Sequence, residues 1–454
     1  MALGGCSGNS GGPGVAPDTV AFLDTLQHKT FNWFWNLTPA SNGLTPDRWP
    51  TPSFSSIAAV GFALTAYPIG VERGWITRAQ AADRTLATLR FFWSAPQDSA
   101  GPNTTGYRGF YYHFLDMQTG RRFQTVELST IDTSLLLGGV LFAQSYFTGG
   151  DTTEKEIRGL ADSIYRRVDW QWARRPSNAV SMGWHPESGF ITAEWIGYNE
   201  AMILNILALG SPTHPVDSTT WTAWTSGYQW GTYHGQTFVQ FGPLFGHQYS
   251  HLWVDFRGIQ DAYMQGRGID YFENSRRATL SQRAYAIANP GAWRGYNADV
   301  WGLTACDGPA DKTLMLAGRN RQFHSYWARG AGLGYENDDG TLCPTAVGGS
   351  VPFAPEITIP ALLAMHSTYG NKLYQTYGLL DAFNPTFTAQ GQQAVGMVDP
   401  QLGWFDVDYL GIDQGPILIM IENYRTGFVW NVMKTNQHII RGLKRAGFTG
   451  GWLP

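Results

Sequence analysis

Carboxyl side chains lie at three turns that each lead into an apolar run. Two carboxyls that converge from distant segments can supply the general acid and the general base of a glycoside hydrolase, or its nucleophile. Their spacing along the chain does not give the distance in space between the two carboxyls. The sequence therefore leaves both inversion and retention of configuration open. The candidate catalytic residues are Glu127, Asp132, Glu200, Asp408 and Asp413.

Glu200 is the candidate general acid. Asn199 can cap a helix at this point, and Glu200 is followed by the nearly continuous apolar run 201–209. Burial among apolar groups disfavours the carboxylate and raises its pKa, which a general acid near neutral pH requires. The alternative is that Glu200 only accepts hydrogen bonds from backbone N–H groups at the helix start.

The candidate general base belongs to the loop 403–416, where three acids fall within eight positions. Asp413 stands at a helix entrance just before Pro416, and free backbone N–H groups there favour the anion that a base requires. Asp406 and Asp408 are alternatives in the same loop, because the sequence does not tell which carboxylate faces a substrate. Helix capping and loop hydrogen bonds are the structural alternative for all three.

Glu127 and Asp132 are rivals for either role. Glu127 precedes a strongly apolar helix, and Asp132 lies in the first turn of that helix. Acids at this position also complement the helix dipole, so a purely structural role is the alternative.

Two histidines, His247 and His251, have the spacing of a metal-binding pair on a helix. The segment lacks the Glu of a His-Glu-x-x-His motif and no third ligand is evident. We therefore expect no metal, and interpret both histidines as polar lining of a cleft together with Trp253 and Arg257. The acidic segment 336–340 does not match a calcium-binding loop. Motifs for nucleotide, dinucleotide and esterase chemistry are absent from the sequence.

Aromatic residues are abundant, with 19 Trp, 21 Tyr and 25 Phe among 454 residues. Sugar rings present C–H faces that stack on such side chains, so this composition favours a carbohydrate cleft, although a large aromatic core is the alternative. Trp195, Trp404 and Tyr409 flank the acidic segments and are the expected stacking platforms. The formal charge of −4 argues against a nucleic-acid partner, which would need a basic face.

Helical periodicity dominates the chain. Thr77 is a good N-cap for one of the expected helices, and Ser129 opens another. We expect helices at 18–36, 55–71, 78–93, 130–147, 152–172, 199–209, 255–265, 270–288, 358–378, 416–432 and 434–446. A β-hairpin is expected where 109–115 and 121–126 flank a turn.

The interior shows no linker and no clear repeat, so we expect one catalytic domain over residues 17–454. Many helices joined by long loops favour an all-α fold of the (α/α)6 toroid type, a double ring of helix pairs with functional loops on one face. A helical bundle or solenoid is the alternative.

The N-terminus, residues 1–16, is interpreted as a lipobox remnant and a flexible tether. Leu3-Gly4-Gly5-Cys6 has the lipobox pattern and a Gly- and Ser-rich stretch follows it. We interpret Met1-Ala2 as a start that replaces most of a signal peptide. We accordingly expect an exported bacterial lipoprotein of the periplasm or outer membrane, held to the membrane only by a lipid on Cys6; a chance cysteine is the alternative. Cys306 and Cys343 could pair in an oxidising compartment.

Several longer motifs resemble the bacterial glucoamylase-like domain family, glycoside hydrolase family 144, the endo-β-1,2-glucanases. The similarity covers nearly the whole chain after the tether. Its motifs contain further candidate substrate-binding residues, Tyr198, Asp307, Glu356 and Gln414. The motifs are 198–200, 207–215, 247–251, 255–258, 307–309, 344–350, 353–356 and 409–416.

The resemblance implies an (α/α)6 barrel, hydrolysis of β-1,2-glucan with inversion, and no metal or organic cofactor. We therefore expect an enzyme that releases sophorose and short β-1,2-glucooligosaccharides and acts as a monomer. An exo-acting sophorose-releasing enzyme or a transglycosylase is the nearer alternative. A glucan-binding lipoprotein without catalysis is the more distant one.

Overall fold

The computed structural model describes residues 17–316 and 318–454. The expected lipobox and tether therefore lie outside the described residues. The α-helices are α1 Pro17–Leu37, α2 Ile57–Glu72, α3 Arg78–Ser94, α4 Thr130–Tyr146, α5 Thr152–Arg167, α6 Trp170–Ala173, α7 Met202–Gly210, α8 Ser218–Thr225, α9 Phe245–Gln248, α10 Ala262–Arg267, α11 Tyr271–Ala288, α12 Pro344–Gly348, α13 Pro355–Tyr369, α14 Gly411–Thr426, α15 Phe428–Met433 and α16 Gln437–Arg445. Two 3-10 helices span Tyr249–Leu252 and Gly370–Lys372.

The strands are short. They are β1 Arg48–Trp49, β2 Ser55–Ser56, β3 Gly106–Tyr107, β4 Phe110–Tyr112, β5 Phe114–Leu115, β6 Leu128–Ser129, β7 Gly183–His185, β8 Gly189–Phe190, β9 Trp230–Tyr233, β10 Gln236–Val239, β11 Ala305–Cys306, β12 Lys312–Leu316, β13 Arg319–Phe323, β14 Trp327–Ala328, β15 Gly330–Gly332, β16 Tyr335–Asn337, β17 Tyr374–Gln375, β18 Gly378–Leu379, β19 Phe383–Asn384, β20 Met397–Asp399, β21 Gly403–Phe405 and β22 Tyr409–Leu410. The largest sheet has the order β3-β4-β6-β7-β8.

Six helical segments form the inner ring: α2, α4, α7, α9 with its 3-10 continuation, α12 and α14. Helix α2 packs on both α4 and α14, and α4 packs on α7. The amide of Gln248 in α9 donates to the carbonyl of Ala346 in α12 (2.9 Å), which continues the ring toward α14. The outer layer consists of α1, α3, α5, α11, α13 and α16, which pack on the inner helices. This double ring is the expected (α/α)6 toroid.

The inner helices run in the same direction. Their C-terminal ends meet on one side, where Tyr146 of α4 donates to Glu72 of α2 (2.9 Å) and Arg73 pairs with Glu422 of α14 (2.7 Å). Their N-terminal ends therefore open on the other side, which carries the loops between outer and inner helices. Ser129 caps α4 by accepting from the backbone N–H of Asp132 (3.1 Å), so the cap also places an acid at that rim.

Several expected boundaries differ from the observed ones. The region 152–172 splits, because Asp169 caps a new turn at α6. The region 255–265 is helical only from Ala262, after the cap Asp261. The region 358–378 instead begins at Pro355 and ends at Tyr369, and 416–432 begins at Gly411 and breaks at Gly427, whose φ is +66°.

The expected hairpin forms only next to its turn. Leu115 and Arg122 form an antiparallel bridge, and the N–H of Phe123 donates to the carbonyl of Phe114 (3.0 Å). Farther from the turn, β4 pairs with β3 and β6 instead. Cys306 and Cys343 form a disulfide. No helix among the described residues combines the length and the apolar character needed to cross a bilayer.

Candidate active site

A cavity of about 200 Å³ opens at the N-terminal ends of the inner helices. It receives side chains from the residue after β4, from α4, from the turn before α7, from α9 and its 3-10 continuation, from the region of β11 and β14, and from the start of α14, so segments distant in sequence meet there. Its walls are His113, Ile131, Asp132, Leu135, Glu200, Phe245, Tyr249, Ala305, Tyr326 and Ile412. Apolar and aromatic groups with a few converging polar ones are typical of a small-molecule site.

Glu200 lies in the turn just before α7 and its carboxyl borders this cavity. Burial raises the pKa of Glu200 to about 7, and the nearby negative charge of Asp132 adds to the shift. No side chain among the described residues hydrogen-bonds to this carboxyl. The group can therefore hold a proton near neutral pH and donate it to a bound molecule.

His113 joins the two other acids of this wall. Its Nδ1 lies 2.8 Å from Glu127 Oε1, and its Nε2 lies 3.4 Å from Asp132 Oδ2. Burial alone would lower the pKa of His113, but the carboxylates of Asp132 and Glu127 outweigh it and raise the pKa to about 9. The imidazolium in turn holds the pKa of Glu127 below its usual value against the effect of burial. Glu127 and Asp132 are therefore both ion-pair partners of the His113 imidazolium.

Asp413 lies in the first turn of α14, directly after the cavity residue Ile412. Burial raises the pKa of Asp413 to about 7, and the charges of Asp307 and Asp47 contribute. The helix entrance was expected to favour the Asp413 carboxylate, but burial and the neighbouring negative charges outweigh that effect. Next to it, burial and the charge of Asp413 raise the pKa of Asp381 well above its usual value.

Arg48 is the cation on this side of the cavity. Its guanidinium lies 2.6 Å from Asp307 Oδ2, 3.3 Å from Asp47 Oδ2 and 3.7 Å from Asp408 Oδ2. One carboxylate oxygen each of Asp307, Asp406 and Asp408 lies within 4.8 Å of the other two, which is a spacing that could hold a metal ion.

Two tyrosines, Tyr249 and Tyr326, line the cavity. Burial raises the pKa of the Tyr249 phenol, and the charge of Asp413 is the next contribution. The charge of Glu200 also reaches Tyr249. Tyr326 is 51% exposed, so its ring projects into the opening rather than into the core.

A second concavity, of about 290 Å³, adjoins the Glu200 side. It is lined by residues 196–199, 227, 229, 240–242 and 332–335. Ile196 and Leu333 are each 46% exposed on it. Tyr198 and Asn199, which line it, directly precede the cavity residue Glu200 in the chain.

The sequence model of the family described as "Putative glucoamylase" matches residues 192–437, more than half of the chain. The chain belongs to this glucoamylase family. The matched residues include Glu200, Asp307, Asp406, Asp408 and Asp413. Much of the cavity wall therefore lies within the part of the chain that the family model matches.

Relatives of known structure match nearly the full length of this glucoamylase-family chain. A "putative glucoamylase" from Bacteroides uniformis is 31% identical, with a TM-score of 0.82, and the match covers 97% of this chain and 100% of that one. An endo-β-1,2-glucanase from Chitinophaga pinensis, in complex with sophorotriose and glucose, is 28% identical, with a TM-score of 0.81 and coverages of 96% and 100%.

A curated relative from Parabacteroides distasonis is named exo β-1,2-glucooligosaccharide sophorohydrolase (non-reducing end). It is 28% identical over 460 residues, which include 93% of this chain. The chain spans 57% of that relative's length.

Three predicted binding residues of the glucoamylase-family chain lie in its core instead of the cleft. His247 and His251 are buried, and burial lowers their pKa values to about 4 and about 3. His247 Nε2 lies 3.1 Å from the carbonyl of Phe241, and His251 Nε2 lies 3.1 Å from Ser275 Oγ. Trp253 stacks on Phe62 inside the ring. The apolar surroundings of this helix, not a ligand, account for all three.

Two other predicted binding residues, Arg257 and Glu356, lie at the opposite end of the ring. Arg257 pairs with Asp255 (2.7 Å) and covers the ring of Trp430. Glu356 begins the outer helix α13 and pairs with Arg276 (2.5 Å) on the surface. Outer helices run antiparallel to inner ones, so a helix start in the outer layer faces away from the cavity.

Most of the predicted aromatic platforms are buried. Trp195 donates to Thr130 Oγ1 (3.0 Å), Trp404 donates to the carbonyl of Val395 (2.7 Å), and the Tyr409 phenol accepts from the N–H of Tyr377 (3.2 Å). Gln414 is also buried and donates to the carbonyl of Leu379 (3.1 Å). Tyr198 packs among aromatic rings and meets the cavity system only at the second concavity. Exposed rings are found instead at Tyr326 and Trp49, which are 51% and 36% exposed.

The sequence analysis missed Arg48, His113, Asp381, Tyr249 and Tyr326. Asp381 carried a usable signal, because it interrupts the apolar run 379–383. Arg48, His113 and Tyr326 lie in short strands and loops, where no periodicity marks them.

Proposed function

We propose that this chain hydrolyses β-1,2-glucan to sophorose and short β-1,2-glucooligosaccharides, with inversion. The observation that carries the proposal is that Glu200 borders the cavity, that Asp413 directly follows the cavity residue Ile412 in a separate segment, and that both pKa values are raised to about 7. The names of the Chitinophaga and Parabacteroides relatives supply the substrate class.

Glu200 acts as the general acid in this proposal. Its proton passes to the glycosidic oxygen while the bond from that oxygen to the anomeric carbon breaks. A water molecule attacks the carbon from the opposite face and gives its proton to the Asp413 carboxylate, so a β-linkage yields an α-anomeric product. Tyr249 and Tyr326 line the cavity in which substrate and water would lie.

Endo action is the version we propose. The groove beside Tyr198 gives a long chain room to continue past the cavity on the Glu200 side. Exo action, with sophorose released from a chain end, is the second candidate, and the name of the Parabacteroides relative favours it.

The test is incubation with linear β-1,2-glucan, starch and laminarin, followed by analysis of early product lengths and of the anomer first formed. Mixed short β-1,2-glucooligosaccharides with an initial α-anomer are expected. Sophorose as the only early product would replace endo by exo action, and cleavage of starch alone would refute the proposal.

A further inference from the structure

The acids around Arg48 outnumber their cationic partners. Asp47, Asp307 and Asp408 all lie within 3.7 Å of the single Arg48 guanidinium. Asp406 completes a group in which oxygens of Asp307, Asp406 and Asp408 lie within 4.8 Å of one another. When all four carboxylates are ionised, they carry four negative charges against one positive charge on the guanidinium. The remaining negative charge is larger than a single divalent cation neutralises.

Two carboxylate oxygens of this group accept no hydrogen bond from the described residues. Asp406 is fully buried; its Oδ1 accepts from the N–H of Val407 (2.7 Å), and its Oδ2 accepts no hydrogen bond from any described residue. Asp408 is equally buried; its Oδ1 accepts from the N–H of Thr51 (2.8 Å), and its Oδ2 is likewise without a hydrogen bond within the described ranges. A buried polar atom without a partner is costly, and a buried charge more so.

We propose that Asp307, Asp406 and Asp408 bind a calcium ion. Calcium takes six to eight oxygen ligands, and carboxylates, alone or bidentate, are its commonest protein ligands. Magnesium fits less well, because it retains several waters and requires near-ideal octahedral geometry that three fixed, buried carboxylates do not provide. The oxygens of Asp406 and Asp408 that accept no hydrogen bond become ligands, and the ion offsets the excess negative charge.

The ion joins two segments of the rim. Asp406 and Asp408 belong to the loop that leads into α14 and Asp413, whereas Asp307 follows β11. The backbone N–H of Asp307 donates to Asp381 Oδ2 (2.8 Å), and Asp381 neighbours Asp413. Calcium would thus fix the loop beside Asp413 without taking part in bond cleavage.

The first test is calorimetric titration of CaCl2 into the chelator-treated full chain, with no glucan present. One binding site and a rise in melting temperature are expected, with a weaker response to MgCl2. Asp406→Asn and Asp408→Asn should each weaken calcium binding at least tenfold. Asp83→Asn, which changes an exposed acid on α3, is the matched control and should bind as the wild type does.

A second readout is terbium luminescence sensitised by aromatic residues, displaced by calcium. It needs only folded protein, which circular dichroism verifies for each variant, and Asp307→Asn replaces any variant that does not fold. Absence of calcium binding in the wild type, or equal affinity in the wild type and in the folded Asp variants, would overturn the proposal. Because neither measurement uses a substrate, failure here is distinct from failure to hydrolyse β-1,2-glucan.

Discussion

Asp381 and Asp413 form a pair of buried carboxyls in which Asp381 keeps its proton while Asp413 ionises first. Burial raises both pKa values, that of Asp413 to about 7 and that of Asp381 well above its usual value. A hydrogen bond from Asp381 favours the Asp413 carboxylate and partly offsets that burial. Asp381 is thus a positioning residue for the proposed base.

This pair predicts how activity depends on pH. The proposed base must be ionised, so kcat falls as pH drops through about 7. Asp381→Leu removes the hydrogen-bond donor and should move this acidic limb to higher pH, whereas Asp381→Asn keeps a donor and should move it much less. Asp413→Asn should lower kcat by about 10²–10⁴-fold at all pH values. Identical pH profiles for Asp381→Leu and the wild type would contradict the assignment.

Glu200→Gln should abolish most turnover yet stabilise the fold at pH 8. Loss of the proton donor should cost about 10²–10⁴-fold in kcat. The raised pKa of Glu200 means that its stabilising contribution is complete below about pH 4.5 and is lost as pH rises through about 7. At pH 8 the variant lacks that penalty, which is on the order of 3 kcal/mol and can be measured by urea unfolding.

Glu356→Gln is the matched control for this variant. It removes a half-exposed surface ion pair with Arg276 at the opposite end of the ring. Activity should stay within about twofold and stability within about 1 kcal/mol of the wild type. Equal losses of turnover in both variants would remove Glu200 from the proposed mechanism, leaving Glu127 and Asp132 to be tested next.

His113 should make the fold more stable below neutral pH than above it. Its pKa is raised from 6.5 to about 9 in the folded state, so its contribution is complete below about pH 6.5 and disappears as pH rises through about 9. The shift corresponds to about 3 kcal/mol. His113→Gln should flatten the free energy of unfolding between pH 6 and pH 9.5. A slope unchanged from the wild type would show that Glu127 and Asp132 do not hold the imidazolium.

Tyr326 should bind substrate through its ring. Tyr326→Ala is expected to raise KM about tenfold, since it deletes the half-exposed aromatic face over the cavity, and Tyr326→Phe should change KM by less than about threefold. Met315→Ala, at a 64% exposed position of the β12–β13 hairpin, is the control for the same region. If Tyr326→Ala and Tyr326→Phe raise KM equally, the phenol oxygen rather than the ring is the binding group.

Deletion of residues 1–16 should leave turnover and melting temperature nearly unchanged. We propose that this segment carries the lipid on Cys6 and adds no apolar residues to the core. Thermal unfolding of the full and shortened chains checks this prediction, and a fall of more than about 5 °C in melting temperature would refute it.

Local sequence signals were enough for the capped helices. Thr77 caps α3 with a complete capping box to Gln80, as its position before an amphipathic run predicts. Ser129 likewise caps α4. The helix predicted over 255–265 was wrong before the cap Asp261, because the aromatic and apolar residues there pack in irregular structure. Tertiary burial favours the same apolar composition without helical hydrogen bonds.

The sequence by itself determined that acids stand at helix entrances, that Glu200 precedes an apolar helix, and that the chain is mostly helical. Those features depend on neighbours along the chain, through capping and periodicity. Only the tertiary structure decided that His113, Arg48 and Asp381 partner those acids, that His247 and His251 are core residues, and that Arg257 and Glu356 face the opposite end. These outcomes depend on which helix ends meet around the ring, and pKa values follow from burial and charge that distant segments supply.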